Sequence, residues 1–439
     1  MKLSSSPGTE IQNPNGDPNC DAGYPYYQQL NLQELNGYEV HLTRFLAAGQ
    51  DWSDRIPNWF GSWRLAPLGA LRANICWQVS GAPTALEYEI DGTDGAGNEI
   101  SATLSVPFQG PGQSAGALSA SQDSVSINAG ASQSATASVT VNVPSGQAWS
   151  LSVFPANQNT SWMVVSPLSG AGPSQVHLVA SAAGLENGVY TATLVFQSVN
   201  TIPQFVNVPV TFTIGASSDV VIAAVANGAS FGKNVAPGMI LSVFGQNLSP
   251  ATEAASAVPL PLNLGGVTVT INGVAAPLYF ISPTQLNIQL PYETAAGTAV
   301  MGVNNNGQVA SYSFAVQAAA PGIFVGGDGG LAPASSGPPG SSWAFYITGQ
   351  GDVTPAVETG DPPANDTPVS GLPAPRLPLS LTVGGVPVTP FFVGIPYGLV
   401  GATQINFTVP GNVPAGTQPV VVTIGGVDST PAKFTVTGH

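Results

Sequence analysis

The side chains able to do covalent or metal chemistry are few and far apart. The 439-residue chain has three histidines, His41, His177 and His439, and 23 acidic residues against eight basic ones. No two histidines stand at HExxH or other metal-ligand spacing, so each reads as a strand or terminal residue. Two GxSxG strings occur, GQSAG at 112–116 and GASFG at 228–232. A nucleophile elbow needs a strand before it, a helix after it and a histidine base. The first string lies in a Gly/Ser-rich linker and the second opens a β-type segment, so neither reads as an esterase site. A glycosidase needs two carboxylates in one groove. The only dense acidic cluster is Glu87, Glu89, Asp91, Asp94 and Glu99, where Glu87 and Glu89 share one side of a strand. The sequence predicts no enzyme.

Binding chemistry is better represented. The segment DGTDGAGNE at 91–99 places Asp91, Asp94 and Asn98 among glycines, oxygen donors suited to a hard cation such as calcium. The same residue types build a tight hairpin turn, because Gly, Asn and Asp tolerate positive φ, and the turn is the preferred reading; calcium is the one cofactor left open. Aromatic residues concentrate near the N-terminus. Tyr26, Tyr27, Trp52 and Trp59 are candidates to stack on sugar faces, with Phe60, Trp63 and Trp77 expected to fill a core. Asn159, Asn247, Asn365 and Asn406 each begin an Asn-x-Ser/Thr triplet and are candidate glycosylation sites. The only two cysteines, Cys20 and Cys76, suggest one disulfide and an oxidising compartment, with two buried thiols as the alternative.

The elements that must position these residues are strands. Residues 284–291 read TQLNIQLP and residues 403–410 read TQINFTVP, each alternating apolar and polar side chains with the period of two of a half-buried strand. The flanks repeat as well: PLPL at 259–262 answers LPLSL at 377–381, and INGV at 271–274 answers VGGV at 383–386. Charged residues make up 7% of the chain, while 43% is hydrophobic and Gly (52) and Pro (40) abound. A usual domain is ~25% charged, so this is a β-rich, turn-rich chain with an uncharged polar surface, which offers little like-charge repulsion against self-association. Net charge is −15 and the basic residues are scattered, lacking the stripe that nucleic acid requires. No run approaches the ~20 apolar residues of a membrane helix. The opening MKLSSSPG lacks the apolar centre of a signal peptide, so export would use a leader outside this sequence.

Two resemblances follow from longer strings. Trp162, Ser166, Pro167, Ser169 and Gly170, then GLENGVYTATLVF at 184–196 and VPVTFTI at 208–214, resemble BACON-type domains over about 123–214. These are small bacterial sandwiches often attached to secreted proteins. The strings VANGASF at 225–231, VAPGMILSVFGQNLSP at 235–250, APGIF at 320–324, ITGQGDVTPA at 347–356 and FFVGIPYGLVGATQINFTVP at 391–410 are similar to a C-terminal tandem β-domain of unknown function on secreted acidobacterial proteins, over about 220–437. LNLQELNGYEVHLTRFLAAGQD at 30–51 and FGSWRL at 60–65 look like a companion sandwich. The resemblances imply a fold and a secreted location, with carbohydrate or mucin as a ligand class for BACON-type domains and no site residue carried over.

The expected architecture is all-β: an irregular arm at 1–23, then immunoglobulin-like sandwiches at 24–110, 120–215 (BACON-like), 219–318 and 322–439, strung into an elongated rod. The proline-rich loop 349–378 is expected to form a contact surface. The expected function is an extracellular structural or adhesive protein, the self-assembling subunit of a surface fibre or matrix. Its expected partner is itself, with polysaccharide or a cell surface besides. The alternative is a carbohydrate-binding secreted protein using the N-terminal aromatics or the BACON-like domain. Neither terminus shows a clean alternating donor strand, which argues against strand exchange.

Overall fold

The computed structural model describes residues 1–112, 116–155, 160–215 and 219–438. Nearly every regular element among them is a strand; the helical turns are Ser53–Arg55, Ile56–Trp59 and Val369–Gly371. The chain divides into two compact units, 1–218 with 307–309, and 219–306 with 310–439.

In the first unit, Lys2–Ser6, Tyr26–Gln33 and Ala70–Trp77 form one sheet. It packs on a second made of Glu10–Gln12, Glu99–Pro111, Thr84–Asp94, Val40–Ala47 and Gln50–Asp51. Leu30, Leu32 and Ala73 from one sheet and Phe45, Ile90 and Phe108 from the other are fully buried between them. The expected irregular arm is therefore corrected, since its residues supply an edge strand to each sheet. Lys2–Ser6 runs antiparallel to Tyr26–Gln33, and Glu10–Gln12 runs parallel to Glu99–Pro111. The arm escaped a hydrophobic-pattern reading because its docking is largely polar. Gln28 donates from Nε2 to Ser5 Oγ (2.9 Å) and Asn31 from Nδ2 to Ser6 Oγ (3.1 Å). Glu10 is fully buried, and burial pushes its carboxyl well above the usual carboxylate range, with Asp17 adding to the shift.

The second sandwich of this unit pairs a four-stranded sheet (Ser119–Ala120, Ser134–Asn142, Ser174–Ser181, Met163–Ser166) with a five-stranded one (Val125–Ala129, Phe205–Ile214, Gly188–Gln197, Ala148–Pro155, Ser169–Ala171). Val139, Val176, Leu194, Phe196 and Phe212 anchor its core. The two sandwiches meet at Tyr27, whose ring stacks on Phe205 with centroids 5.0 Å apart beside Phe154 and Val195.

The second unit contains the tandem. Its first copy pairs a sheet of Val221–Asn227, Ile240–Gln246, Gln285–Gln289, Leu278–Ile281 and Glu253–Ala254 with one of Val274–Ala275, Val267–Ile271, Gly297–Asn305 and Gln308–Val316. Its second copy pairs Gly322–Ile323, Ser342–Thr348, Thr403–Thr408 and Phe392–Gly394 with Ser336–Gly337, Ala432–Val436, Gly416–Ile424, Leu379–Val383 and Val386–Val388. The repeated phrase occupies the same interior strand in both, and Leu286, Ile288, Ile405 and Phe407 are its fully buried face. The matching turns INGV and VGGV are two-residue hairpins with left-handed backbone at Asn272 and Gly273 and at Gly384 and Gly385.

Much of the loop 349–378 is built into its own unit. Val353–Thr354 pairs with Ala374–Pro375, and the loop closes on the first copy. Gly360 N–H donates to Gln289 Oε1 (2.6 Å), Leu260 N–H to Gly360 O (2.9 Å) and Thr359 Oγ1 to Glu293 Oε2 (2.9 Å). Tyr292, Val353 and Ile395 pack together there, each 1% exposed. Its prolines and glycines serve an internal strap, while residues 364–366 and 368–370 stay exposed.

Candidate functional site

The first sandwich holds the densest set of groups able to recognise a ligand. On its outer face the strand Val40–Ala47 bulges between Leu42 and Arg44, which leaves Thr43 and Arg44 both on the surface. Arg44 spans two acidic positions of the next strand, from Nε to Asp91 Oδ2 (2.6 Å) and from Nη2 to Glu89 Oε1 (2.5 Å). Glu87, Glu89 and Asp91 face Ser105, Thr103 and Ser101 across the ladder. A shallow groove of about 540 Å³ runs over Thr43, Arg44, Asp91, Thr93, Glu99 and Ser101.

The same sandwich carries a cluster of three indoles. Trp52 N–H donates to Phe45 O (2.8 Å), and Phe45 N–H donates to Ser53 Oγ (3.0 Å). Ser53 gives both its N–H and its hydroxyl to Asp51, whose carboxyl is held below its ordinary range by those bonds. This turn leads into Ile56–Trp59. Trp52 and Trp59 lie 5.5 Å apart, Trp59 and Trp77 5.9 Å, and Trp52 and Trp77 6.2 Å. All three are half-buried. Trp77 donates from Nε1 to Gln28 Oε1 (3.0 Å), which also accepts the Tyr88 hydroxyl (2.7 Å), so the cluster is tied to the core at its inner rim.

Of the four aromatic residues proposed from sequence for sugar stacking, Trp52 and Trp59 come together here. Tyr26 and Tyr27 do not join them. Tyr26 is 1% exposed, its ring edge-on to Phe108 and its hydroxyl bonded to Gln109 O, and Tyr27 is spent on Phe205. Strand alternation explains Tyr26, which shares the inward side with Leu30 and Leu32. Trp77, expected in the core, ends the inward series Leu71, Ala73, Ile75 at the last position of its strand. That terminal placement was the available signal for its partial exposure.

The residues named for calcium are engaged with one another and with Arg44. Asp94 accepts the N–H groups of Ala96 and Asn98 and the Asn98 side-chain amide, and those bonds hold its carboxyl below the usual range, the Asn98 side chain most of all. Asp91 is committed to Arg44. The segment is a hairpin turn, and among the described residues no three His, Cys, Asp or Glu side chains converge as a metal site. Cys20 and Cys76 are joined as a disulfide with Cα atoms 5.7 Å apart.

Asn247 is exposed with φ +54° and donates from Nδ2 to Asp219 O. Asn365 is exposed in the strap loop, and Asn406 is half-buried with Oδ1 accepting Gln404 Nε2. Asn159 lies outside the described residues, as do His439 and part of the first GxSxG string. The second string is a turn in which Asn227 Oδ1 accepts the N–H groups of Ala229 and Ser230. His41 pairs with Glu39 and His177 sits exposed on a strand. Among the described residues no helix is long and apolar enough to cross a membrane.

No family model matches the chain, and a search of curated proteins finds no match. Among solved structures, the chain is similar to SGBP-B of a Bacteroides ovatus mixed-linkage glucan utilization locus, in complex with a mixed-linkage heptasaccharide. That match is 13% identical, covers 72% of this chain and 67% of that one, and has a TM-score of 0.28. The I9–I11 tandem from titin is 10% identical over 73% of this chain and 100% of its own, with a TM-score of 0.17. The human Desmocollin-1 ectodomain is 11% identical over 98% of this chain and 78% of its own, with a TM-score of 0.18.

Proposed function

We propose that the chain is an extracellular structural or adhesive protein, the subunit of a surface fibre or matrix that associates with copies of itself. The observation that carries this reading is the seam inside the tandem. Thr348 Oγ1 accepts Ile240 N–H (2.8 Å) and donates to Gly401 O (2.6 Å), and Asn227 donates from Nδ2 to Ala320 O (2.9 Å). Together with buried Tyr292, Val353 and Ile395, these bonds make the junction between two sandwiches a buried, hydrogen-bonded seam. Domains in one chain are mobile by default; a buried seam costs desolvation and ordering that a tethered binding module does not need, and it transmits force. The scarcity of charge, the disulfide and the resemblance to secreted acidobacterial and BACON-type domains support a location outside the cell. Electron microscopy of the concentrated protein should show filaments of regular axial repeat, with or without a calcium chelator. Single particles under both conditions would remove the fibre reading.

A second reading, carbohydrate binding, is favoured by one arrangement: the half-buried Trp52, Trp59 and Trp77 on the sandwich that also carries the polar face of Arg44, Glu89 and Asp91. Neutral polysaccharide is the matching class, since the acidic stripe repels anionic chains. In affinity electrophoresis through neutral polysaccharides, Trp52→Ala should weaken retardation by about tenfold, the loss of ~1.4 kcal/mol of ring contact, while calorimetry still shows the folded first unit. Equal retardation of parent and variant would exclude this face.

A further inference from the structure

The arm that reads as irregular in sequence is a two-strand clasp. Residues 2–6 complete one sheet of the first sandwich and residues 10–12 complete the other. Without them the strands Tyr26–Gln33 and Glu99–Pro111 would each expose an unpaired ladder, the feature through which strands recruit other chains.

What holds the clasp is modest. Leu3 is buried at 6% exposed, Pro7 is buried as well, and Ile11 is half-buried. The remainder is hydrogen bonding through Ser5 and Ser6, the ladders themselves, and Gln204, which donates from Nε2 to Ile11 O. Opposing them is Glu10, fully buried with neither carboxyl oxygen hydrogen-bonded, a group whose burial favours release. Beyond the clasp, residues 13–19 read NPNGDPN, a run of turn formers that ends at the disulfide of Cys20 with Cys76. Residues 1–19 can therefore leave the sandwich without breaking a covalent bond. Extended, they reach about 60 Å at ~3.3 Å per residue, more than the width of a sandwich.

We propose that residues 1–12 exchange between copies of this chain, each arm completing the first sandwich of a neighbour with the same two edge strands that it gives its own. The occupant is a second copy because the receiving edges already accept this segment in a defined register, Lys2 opposite Gln33 through Ser6 opposite Gln29 and Glu10 opposite Phe108. An identical element from a neighbour makes identical contacts, so exchange needs no new complementarity. One donor and one acceptor per copy, used non-reciprocally, give an open chain. The inference rests on the self-association reading above and supplies its contact.

The test is a cross-strand cysteine pair, Lys2→Cys with Gln33→Cys, at directly opposed and accessible positions, with Cys20 and Cys76 retained. Protein is assembled at high concentration, oxidised, and run on a denaturing gel without reductant beside the two single-cysteine variants. Exchange predicts a covalent ladder of dimers and higher species in the double variant alone. Filaments whose chains cross-link only internally would overturn arm exchange and leave the fibre reading standing. Absence of both filaments and ladder would overturn both. Deleting residues 1–12 gives a second readout. Assembly should be lost and a synthetic peptide of residues 1–12 should bind the truncated chain; a truncated chain that still assembles would refute the proposal.

Discussion

Gly238→Ala should unlock the tandem of the second unit. Gly238 has φ +74°, and a Cβ placed there would stand 1.9 Å from Cε1 of Tyr292. That ring is 1% exposed and packed with Val353 and Ile395 of the second copy, so it has nowhere to retreat. Gly238 N–H donates to Leu290 O, and Gly238 O accepts Gln289 Nε2, which prevents the backbone from swinging away instead. A left-handed alanine and an overpacked aromatic contact together cost about 2–4 kcal/mol. The loss falls on the seam, because Gln289 also accepts the strap through Gly360 N–H. Urea unfolding of the second unit should show that loss of free energy, with the midpoint moved to lower concentration by the loss divided by the m-value, and new protease cleavage in the strap at 349–378. Gly411→Ala, at a position where a Cβ meets nothing within 4 Å, should stay within about 0.5 kcal/mol of the parent. If the two variants unfold together, Tyr292 is not what holds the copies.

The repeated phrase was legible because its physics is local. In TQLNIQLP and TQINFTVP apolar and polar residues alternate along the strand, and the structure places Leu286 with Ile288 and Ile405 with Phe407 on inward faces, with Gln289 also buried, at the seam. The arm was illegible for the opposite reason. Serines at 4, 5 and 6 carry no hydrophobic signal, and their pairing with Asn31, Leu30 and Gln29 is determined by residues more than twenty positions away. The aromatic site fell between these cases. Sequence proximity grouped Tyr26, Tyr27, Trp52 and Trp59, yet alternation turned Tyr26 inward and a neighbouring sandwich claimed Tyr27. Trp77 entered the cluster from a different sheet. The Asp91–Asn98 segment shows that donor type without geometry is ambiguous: Asp91 pairs with Arg44, and Asp94 accepts the N–H groups of Ala96 and Asn98 and the Asn98 side-chain amide.

Removing the disulfide should cost more than either copy of the tandem would register. Cys20 and Cys76 are separated by 56 positions, and closing a loop of that length restricts the unfolded chain by about 4 kcal/mol. Both cysteines belong to the first unit and the second unit contains none. The variant Cys20→Ser with Cys76→Ser should therefore lower one calorimetric transition by roughly 8–16 °C, at ~2–4 °C per kcal/mol for a unit of this size, and leave the other in place. Reductant should move the parent to the same position and leave the variant unmoved. A parent indifferent to reductant would mean that the bond is absent from the folded protein. The same substitution bears on the arm. Cys76 is the penultimate residue of the strand Ala70–Trp77, so the bond pins the root of the clasp to the sandwich that receives it. With the pin gone, the free segment lengthens past residue 19, and ladder formation by the Lys2→Cys with Gln33→Cys pair should quicken even as the first unit loses stability. A disulfide that merely stabilised the sandwich would give the first effect without the second, which makes the two readouts together a measure of what the bond restrains.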